Sequence, residues 1–506
     1  MQMSALHLCI ISAAALLEAC STPCHGLSEC NIPIRPAVAI TDALNIPKAK
    51  LDSLSGLYLL ENGGESMFAR LWLIDHAQTS IDLQYYSIAN DITGTVIWDH
   101  LVRAADRGVK IRILLDDAAS KTYGHLIQLV DSHQNIEIRV SNGGLKLGRI
   151  HFRILALIKN SNRLLRRMHN KTCIADGQFC IAGGRNIGDE YFDFDERYNF
   201  RDRDLMLSGK VSKDILRSFN IFWDHPLTLK YEHIAGKQRK ELTDDPHRFD
   251  RLHYSACDTS KFSNSSRAKI EAFPDQFIAA DKQGRVAWIS NPKFIFDNPG
   301  EKAGSGSNGT TICTDSVISL IRSAKRSIDI QSPYVILTKK MQRALTDALQ
   351  RGIKVRILTN SLASIDNFEP FAGYQKCRPF LVRSGVELYE FRPDAAERFE
   401  KMIPDRQAFL KYKTPYGFHV KSLIVDGSTV MIGSYNFDPR SEYYNTECIC
   451  IFSSETTASA LLKTFEKEIA PENSWKVSKN KNNDRKASTI KRIKTLLWWP
   501  LPKRLV

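Results

Sequence analysis

Met168-His169-Asn170-Lys171-Thr172-Cys173-Ile174-Ala175-Asp176-Gly177 occurs in this chain in two versions, and the second reads Phe418-His419-Val420-Lys421-Ser422-Leu423-Ile424-Val425-Asp426-Gly427. Both follow the pattern His-x-Lys-x4-Asp. At identical spacing each is followed by a turn of small residues ending in asparagine, Gly183-Gly184-Arg185-Asn186 and Gly433-Ser434-Tyr435-Asn436. No other histidine in the chain has a lysine two residues on. A motif repeated with its downstream turn marks a duplicated structural unit.

In each copy a short apolar run, Asp-Gly and a second apolar run (Phe179 to Ala182; Val430 to Ile432) predict a tight β-hairpin. Alternate residues of a strand point to one face, so His169 projects with Lys171 and His419 with Lys421. An imidazole attacks phosphorus or carries a proton near neutral pH, and a neighbouring ammonium and an asparagine amide hold phosphoryl oxygens. Asn186 and Asn436 are the amides in question. Asp176 and Asp426 complete the motif, and their place at the hairpin turns gives them a supporting role. A metal is not expected. The ammonium would repel a divalent cation, and no carboxylate cluster repeats beside both motifs.

The repeat extends beyond the hairpins. Ser80-Ile81-Asp82-Leu83-Gln84 matches Ser327-Ile328-Asp329-Ile330-Gln331, and Arg107-Gly108-Val109-Lys110-Ile111-Arg112-Ile113-Leu114 matches Arg351-Gly352-Ile353-Lys354-Val355-Arg356-Ile357-Leu358. Each half reads as amphipathic helix, buried strand, helix, second strand, then hairpin. Strands alternating with helices predict an α/β fold with a mixed, parallel-rich sheet covered by helices in each half. A pseudo-twofold axis would relate the halves and bring both hairpins to one shared active site.

The chain has 506 residues, too many for one ordinary core, and its 43% hydrophobic and 25% charged content is that of a globular protein. The net charge of +14 suits a polyanion, either nucleic acid or an anionic membrane surface. Eleven cysteines without a C-x-x-C pair argue against a zinc site and a disulfide scaffold. Residues 1–20 contain an apolar run, Leu6 to Leu17, of signal-peptide length, which ends Leu17-Glu18-Ala19-Cys20. That ending resembles a bacterial lipoprotein cleavage box with Cys20 as the lipidated residue, although no Lys or Arg precedes the run. The expected division is 21–48 as a tether, 49–230 as the first domain, 231–310 as an inter-domain insertion, 311–472 as the second domain and 473–506 as a basic amphipathic tail. The insertion opens on Lys237-Gln238-Arg239-Lys240 and closes on the linker Gly304-Ser305-Gly306-Ser307-Asn308-Gly309.

The duplicated His-x-Lys-x4-Asp with its Gly-Gly/Ser-x-Asn turn resembles the phospholipase D superfamily. The strings Arg166-Arg167-Met168-His169-Asn170-Lys171, Gly183 to Phe192 and Asp438-Pro439-Arg440-Ser441 are similar to its bacterial cardiolipin synthase branch. The resemblance implies two fused phospholipase D-like halves and a phosphatidyltransferase with no cofactor. One histidine forms a phosphohistidine, and the other protonates the departing alcohol and deprotonates the incoming one. His169 is assigned as nucleophile and His419 as acid/base, with the reverse open because the halves are nearly symmetric. Asn445-Thr446-Glu447 resembles the family's Asn-x-Glu partner of the imidazole; in the first half Asp202 aligns best with Glu447, with Asp204 as a close rival.

The implied substrates are phospholipids. Phosphatidylglycerol is one, and phosphatidylethanolamine is taken as the other. No nucleic acid is required, a monomer suffices for the site, and the expected location is the membrane of a bacterial cell envelope. Competing readings are a hydrolytic phospholipase D, a nuclease and a catalytically dead scaffold. Intact motifs in both halves oppose the last, and the fused halves favour lipid over nucleic acid.

Overall fold

In the computed structural model the described residues are 38–117, 124–142, 166–235, 245–258, 260–300, 310–402, 414–479 and 483–500. The signal-like segment 1–20 with Cys20, residues 21–37 of the tether, the basic run Lys237 to Lys240 and the linker Gly304 to Gly309 lie outside them.

Ten strands belong mainly to the first half: β1 (Ser55–Leu60), β2 (Ser80–Tyr85), β3 (Lys110–Asp116), β4 (Ile136–Ser141), β5 (Thr172–Ala175), β6 (Phe179–Gly183), β7 (Asn199–Arg201), β8 (Asp204–Gly209), β9 (Thr228–Lys230) and β10 (Val286–Ile289). All but β7 form one sheet in the order β10-β1-β8-β6-β5-β2-β3-β4-β9. The second half adds β11 (Lys293–Phe296), β12 (Ser327–Gln331), β13 (Lys354–Asn360), β14 (Glu387–Phe391), β15 (Tyr416–Phe418), β16 (Ser422–Val425), β17 (Thr429–Gly433), β18 (Cys448–Ser453) and β19 (Ser474–Lys476). Its sheet runs β11-β18-β17-β16-β12-β13-β14-β19. Both sheets are mixed. Parallel pairing is confined to β2-β3-β4 and β12-β13-β14, and the remaining neighbours run antiparallel. The repeat predicts two strands ahead of each hairpin, and β4 and β14 add a third parallel strand to each half.

Helices α1 (Gly63–His76), α2 (Ile92–Asp106) and α3 (Gly124–Asp131) cover the outer face of the first sheet, whose middle face also meets α4 (Lys210–Trp223). On β5, Cys173 and Ala175 join the outer core while Ile174 joins a core shared between the sheets; β16 repeats this with Leu423, Val425 and Ile424. Alternation on strands buried on both faces thus welds the two halves through one apolar layer.

The inter-domain insertion is built into both halves. Its helices α5 (Asp250–Cys257), α6 (Asn264–Glu271) and α7 (Phe273–Lys282) bury Leu252, Ile270 and Phe277 in the first core. Its strands β10 and β11 then edge one sheet each. The expected tether departs in the same way: Ile40, Leu44 and Ile46 are buried in the first core, so the described chain is anchored from there. The second half continues with α8 (Ile312–Ser323), α9 (Lys339–Gln350), α10 (Phe368–Arg383) and α11 (Glu455–Ile469). The tail region begins inside the second sheet, because β19 pairs with β14, and ends in α12 (Thr489–Trp498). Among the described cysteines, Cys257 is disulfide-bonded and the other six are buried thiols. No helix of the described residues is long and apolar enough to cross a membrane.

Candidate active site

Both Asp-Gly turns have positive φ at two successive residues, Asp176 (50°) and Gly177 (65°), Asp426 (54°) and Gly427 (68°), the conformation a two-residue hairpin needs. The Asp176 carboxylate accepts the backbone N–H groups of Gln78, Thr79 and Ser80, and Asp426 accepts those of Lys325, Arg326 and Ser327. These aspartates pin each hairpin to the loop before the neighbouring strand, at the far end from the histidine. They do not join the imidazoles.

His169-Asn170-Lys171 and His419-Val420-Lys421 lie just ahead of β5 and β16 rather than within them. Contacts between the halves hold them instead. The N–H of His169 donates to Thr446 O (3.0 Å), and that of Thr446 to Arg167 O (2.9 Å). On the other side β7 and β15 pair in parallel, one strand from each half, and the N–H of His419 donates to Arg201 O (2.7 Å).

The carboxylates cross the same boundary. His169 Nδ1 is 2.8 Å from Glu447 Oε2, and His419 Nδ1 is 2.5 Å from Asp202 Oδ2. Each imidazole therefore takes its partner from the opposite half, an exchange that the sequence reading did not contain. Asp204 turns away to Ser66 (2.6 Å), Arg70 (2.9 Å) and Arg185 (3.2 Å). Glu447 is steadied by the hydroxyls of Ser434 (2.5 Å) and Ser441 (2.7 Å), while its own N–H donates to Asp297 (3.0 Å). The first half has Gly184 where the second has Ser434. A Cβ at Gly184 would come within 2.4 Å of Asp202 Oδ1, so the shorter carboxylate sits where the serine side chain would be.

Lys171 and Lys421 donate to the carbonyl oxygens of His169 (2.6 Å) and His419 (2.7 Å), and Lys421 Nζ also lies 2.9 Å from His419 Nδ1. Burial lowers the Lys171 ammonium to about 7, with the charge of Lys421 adding to the effect against Glu447; Lys421 is lowered for the same first reason. Burial, then Lys421, bring His419 down to about 4 despite Asp202, and His169 is lowered by burial and Lys171 despite Glu447. The carboxyls are lowered as well, but by neighbouring charge rather than by burial. Burial opposes ionisation, but Lys421 and His419 hold Asp202 at about 2, and His169 and Lys171 keep Glu447 below its ordinary value. Each motif's lysine is felt by the other motif, so both motifs converge on one site.

Asn186 and Asn436 are buried at the same turns. Asn186 Nδ2 donates to Tyr191 Oη (3.1 Å), and both amide oxygens lack a hydrogen-bond partner among the described residues. The rings of Tyr191 and Phe200 pack against His419 with centroids at 5.3 and 4.8 Å, whereas His169 meets Tyr86 edge-on at 5.9 Å. No role was read in the sequence for Asp297, Ser434, Ser441 or these aromatic rings, although Ser434 lies in the repeated turn and Tyr191 and Ser441 lie in the strings that carry the family resemblance. Among the described residues no cluster of three or more His, Cys, Asp or Glu side chains is arranged for a metal.

Two α/β halves, each contributing a His-Lys pair and the other's carboxylate, define a protein of the phospholipase D type. The family profile described as "Cardiolipin synthase, PLD-like domain" matches residues 71–223 and again 317–469, and the chain belongs to that family. It is 33% identical over 414 residues to cardiolipin synthase C of Escherichia coli (strain K12), covering 81% of this chain and 84% of that protein. To the major cardiolipin synthase of Bacillus subtilis (strain 168) it is 25% identical over 411 residues, 80% of this chain and 67% of that one. The crystal structure of phosphatidylserine synthase from Haemophilus influenzae Rd KW20 superposes with a TM-score of 0.59 at 12% identity, covering 92% of this chain and 100% of that one, a likeness of fold.

Proposed function

We propose that the protein is a phosphatidyltransferase that makes cardiolipin from two phospholipids, and that the crossed histidine–carboxylate pairs are its catalytic centre. The observation that carries this reading is the exchange itself: His169 with Glu447 and His419 with Asp202 give one site two oriented imidazoles.

Glu447 and Asp202 each bind Nδ1, which fixes the tautomer and leaves Nε2 to act. His169 is the better nucleophile by access, since its side chain is 15% exposed against 7% for His419. Nε2 of His169 attacks phosphorus as the bond to the leaving headgroup alcohol breaks, and His419 gives that alcohol its proton. The hydroxyl of a second phospholipid then attacks the phosphohistidine and passes its proton to His419, which releases His169. A phosphodiester anion among the two ammonium groups offsets the charge that depresses His419, so the bound substrate lets this imidazole carry a proton. Lys171, Lys421, Asn186 and Asn436 hold the charge that develops on the phosphoryl oxygens. Phosphatidylglycerol serves as one phospholipid, phosphatidylethanolamine is proposed as the other, and the enzyme works at the membrane of the cell envelope.

Expression in a bacterial host that lacks cardiolipin, followed by lipid extraction and thin-layer chromatography, tests this. Cardiolipin should accumulate with the wild-type chain and be absent with His169→Ala or His419→Ala. Accumulation of phosphatidic acid alone would make the protein a hydrolase instead.

A further inference from the structure

Helix α12 is oriented against the usual rule. An amphipathic helix on a globular protein turns its apolar stripe to the core. Here Thr495 is 1% exposed and points inward, whereas Leu497 is 73% exposed. Ile490, Ile493, Leu496, Leu497, Trp498 and Trp499 make up six of the ten large apolar side chains exposed among the described residues. Ser488 caps the start of the helix and its body packs on α10, so it is a formed element held in place.

What anchors it is polar. Lys491 Nζ donates to the carbonyl oxygens of Ala363 (2.7 Å) and Ile365 (2.9 Å), in the loop that follows β13. The same loop borders the active site through Asn360. Asn360, at its start, bonds both backbone groups of Phe418 beside His419, Ser364 O accepts Tyr198 Oη (2.6 Å), and Asp366 accepts Tyr334 Oη (3.3 Å).

Charge decides what the outward face meets. Between Ser474 and Pro500 the chain carries eight Lys or Arg and one acid, Asp484, which Arg378 pairs at 2.6 Å. Arg492 and Lys494 are exposed on the helix beside the apolar stripe, and Arg485 is exposed in the turn ahead of it. Apolar side chains, two tryptophans at one end and flanking cations suit the interface of an anionic bilayer, where acyl chains take the stripe, headgroups the indoles and anionic lipids the charges.

We propose that α12 docks on an anionic phospholipid bilayer and, through Lys491 and the 361–366 loop, holds the active site at the membrane surface. The docking stands apart from the reaction; its use in delivering lipid rests on the function proposed above. Purified full-length protein should co-sediment with vesicles containing phosphatidylglycerol, bind vesicles of pure phosphatidylcholine at least ten-fold more weakly, and lose most binding in high salt. Leu496→Ser/Leu497→Ser should weaken anionic-vesicle binding at least ten-fold while leaving turnover of a soluble short-chain phospholipid and the melting temperature unchanged. Lys491→Met should keep vesicle binding but lose turnover of vesicle lipid. Equal vesicle binding by wild type and the double variant would overturn the proposal. So would a wild-type dimer that the double variant dissolves, which would assign the stripe to a second copy of the chain. Were wild type to bind vesicles without turning over the short-chain lipid, the catalytic reading would fail and the docking would stand.

Discussion

Asp202 and Glu447 serve histidines 217 and 278 residues away, and their replacement separates orientation from charge. Asp202→Asn and Glu447→Gln keep the shape but let the imidazole take the wrong tautomer, so each should lower kcat by about 10²–10⁴-fold, with little change in KM. A steady-state comparison with wild type checks this. The buried lysines have an opposite effect on stability. Lys171 falls from 10.5 to about 7, so the unfolded chain binds its proton more readily than the folded one; stability present above pH 10.5 is lost as the pH falls toward 7. Lys171→Met should therefore raise Tm by a few degrees at pH 7 while abolishing turnover, as calorimetry and assay would show. His419 has the same sign in another window. With its folded value lowered from 6.5 to about 4, stability held above pH 6.5 is lost as the pH falls to about 4. His419→Gln should flatten that acid limb in denaturant titrations.

At the scale of elements, the two hairpins depend on their turn aspartates. Asp426 accepts three backbone N–H groups; partial burial works against its ionisation, but those amides outweigh it and hold the carboxyl below its ordinary value. Asp426→Ala leaves those donors to water and frees the turn, and should cost about 1–3 kcal/mol in urea unfolding. Its effect on kcat should be far smaller than that of Asp202→Asn, because the turn lies at the far end of the hairpin. These hairpins and the strands beside them were readable because the repeat printed each pattern twice. The insertion was less so. Its strands β10 and β11 are four residues each, and Val286 to Ile289 and Lys293 to Phe296 show too little periodicity to announce two sheet edges. The crossing of carboxylates left no trace in the pattern at all, since each one follows its own half's histidine along the chain and only packing brings it to the other.

The whole molecule is one site made by two halves of one chain, joined by a common apolar layer and by the β7–β15 pairing. An equimolar mixture of His169→Ala and His419→Ala proteins should therefore stay inactive, since neither chain holds two working histidines. Recovery of activity on mixing would mean that halves exchange between chains. The crossed pairs also bear on how the protein is made. His169 emerges from the ribosome long before Glu447, and Asp202 must wait for His419. A nascent chain carrying a complete first hairpin still lacks the carboxylate that orients its imidazole, so on the proposed mechanism it should not cleave the cell's own lipids. On that mechanism competence arrives only when the second half closes on the first.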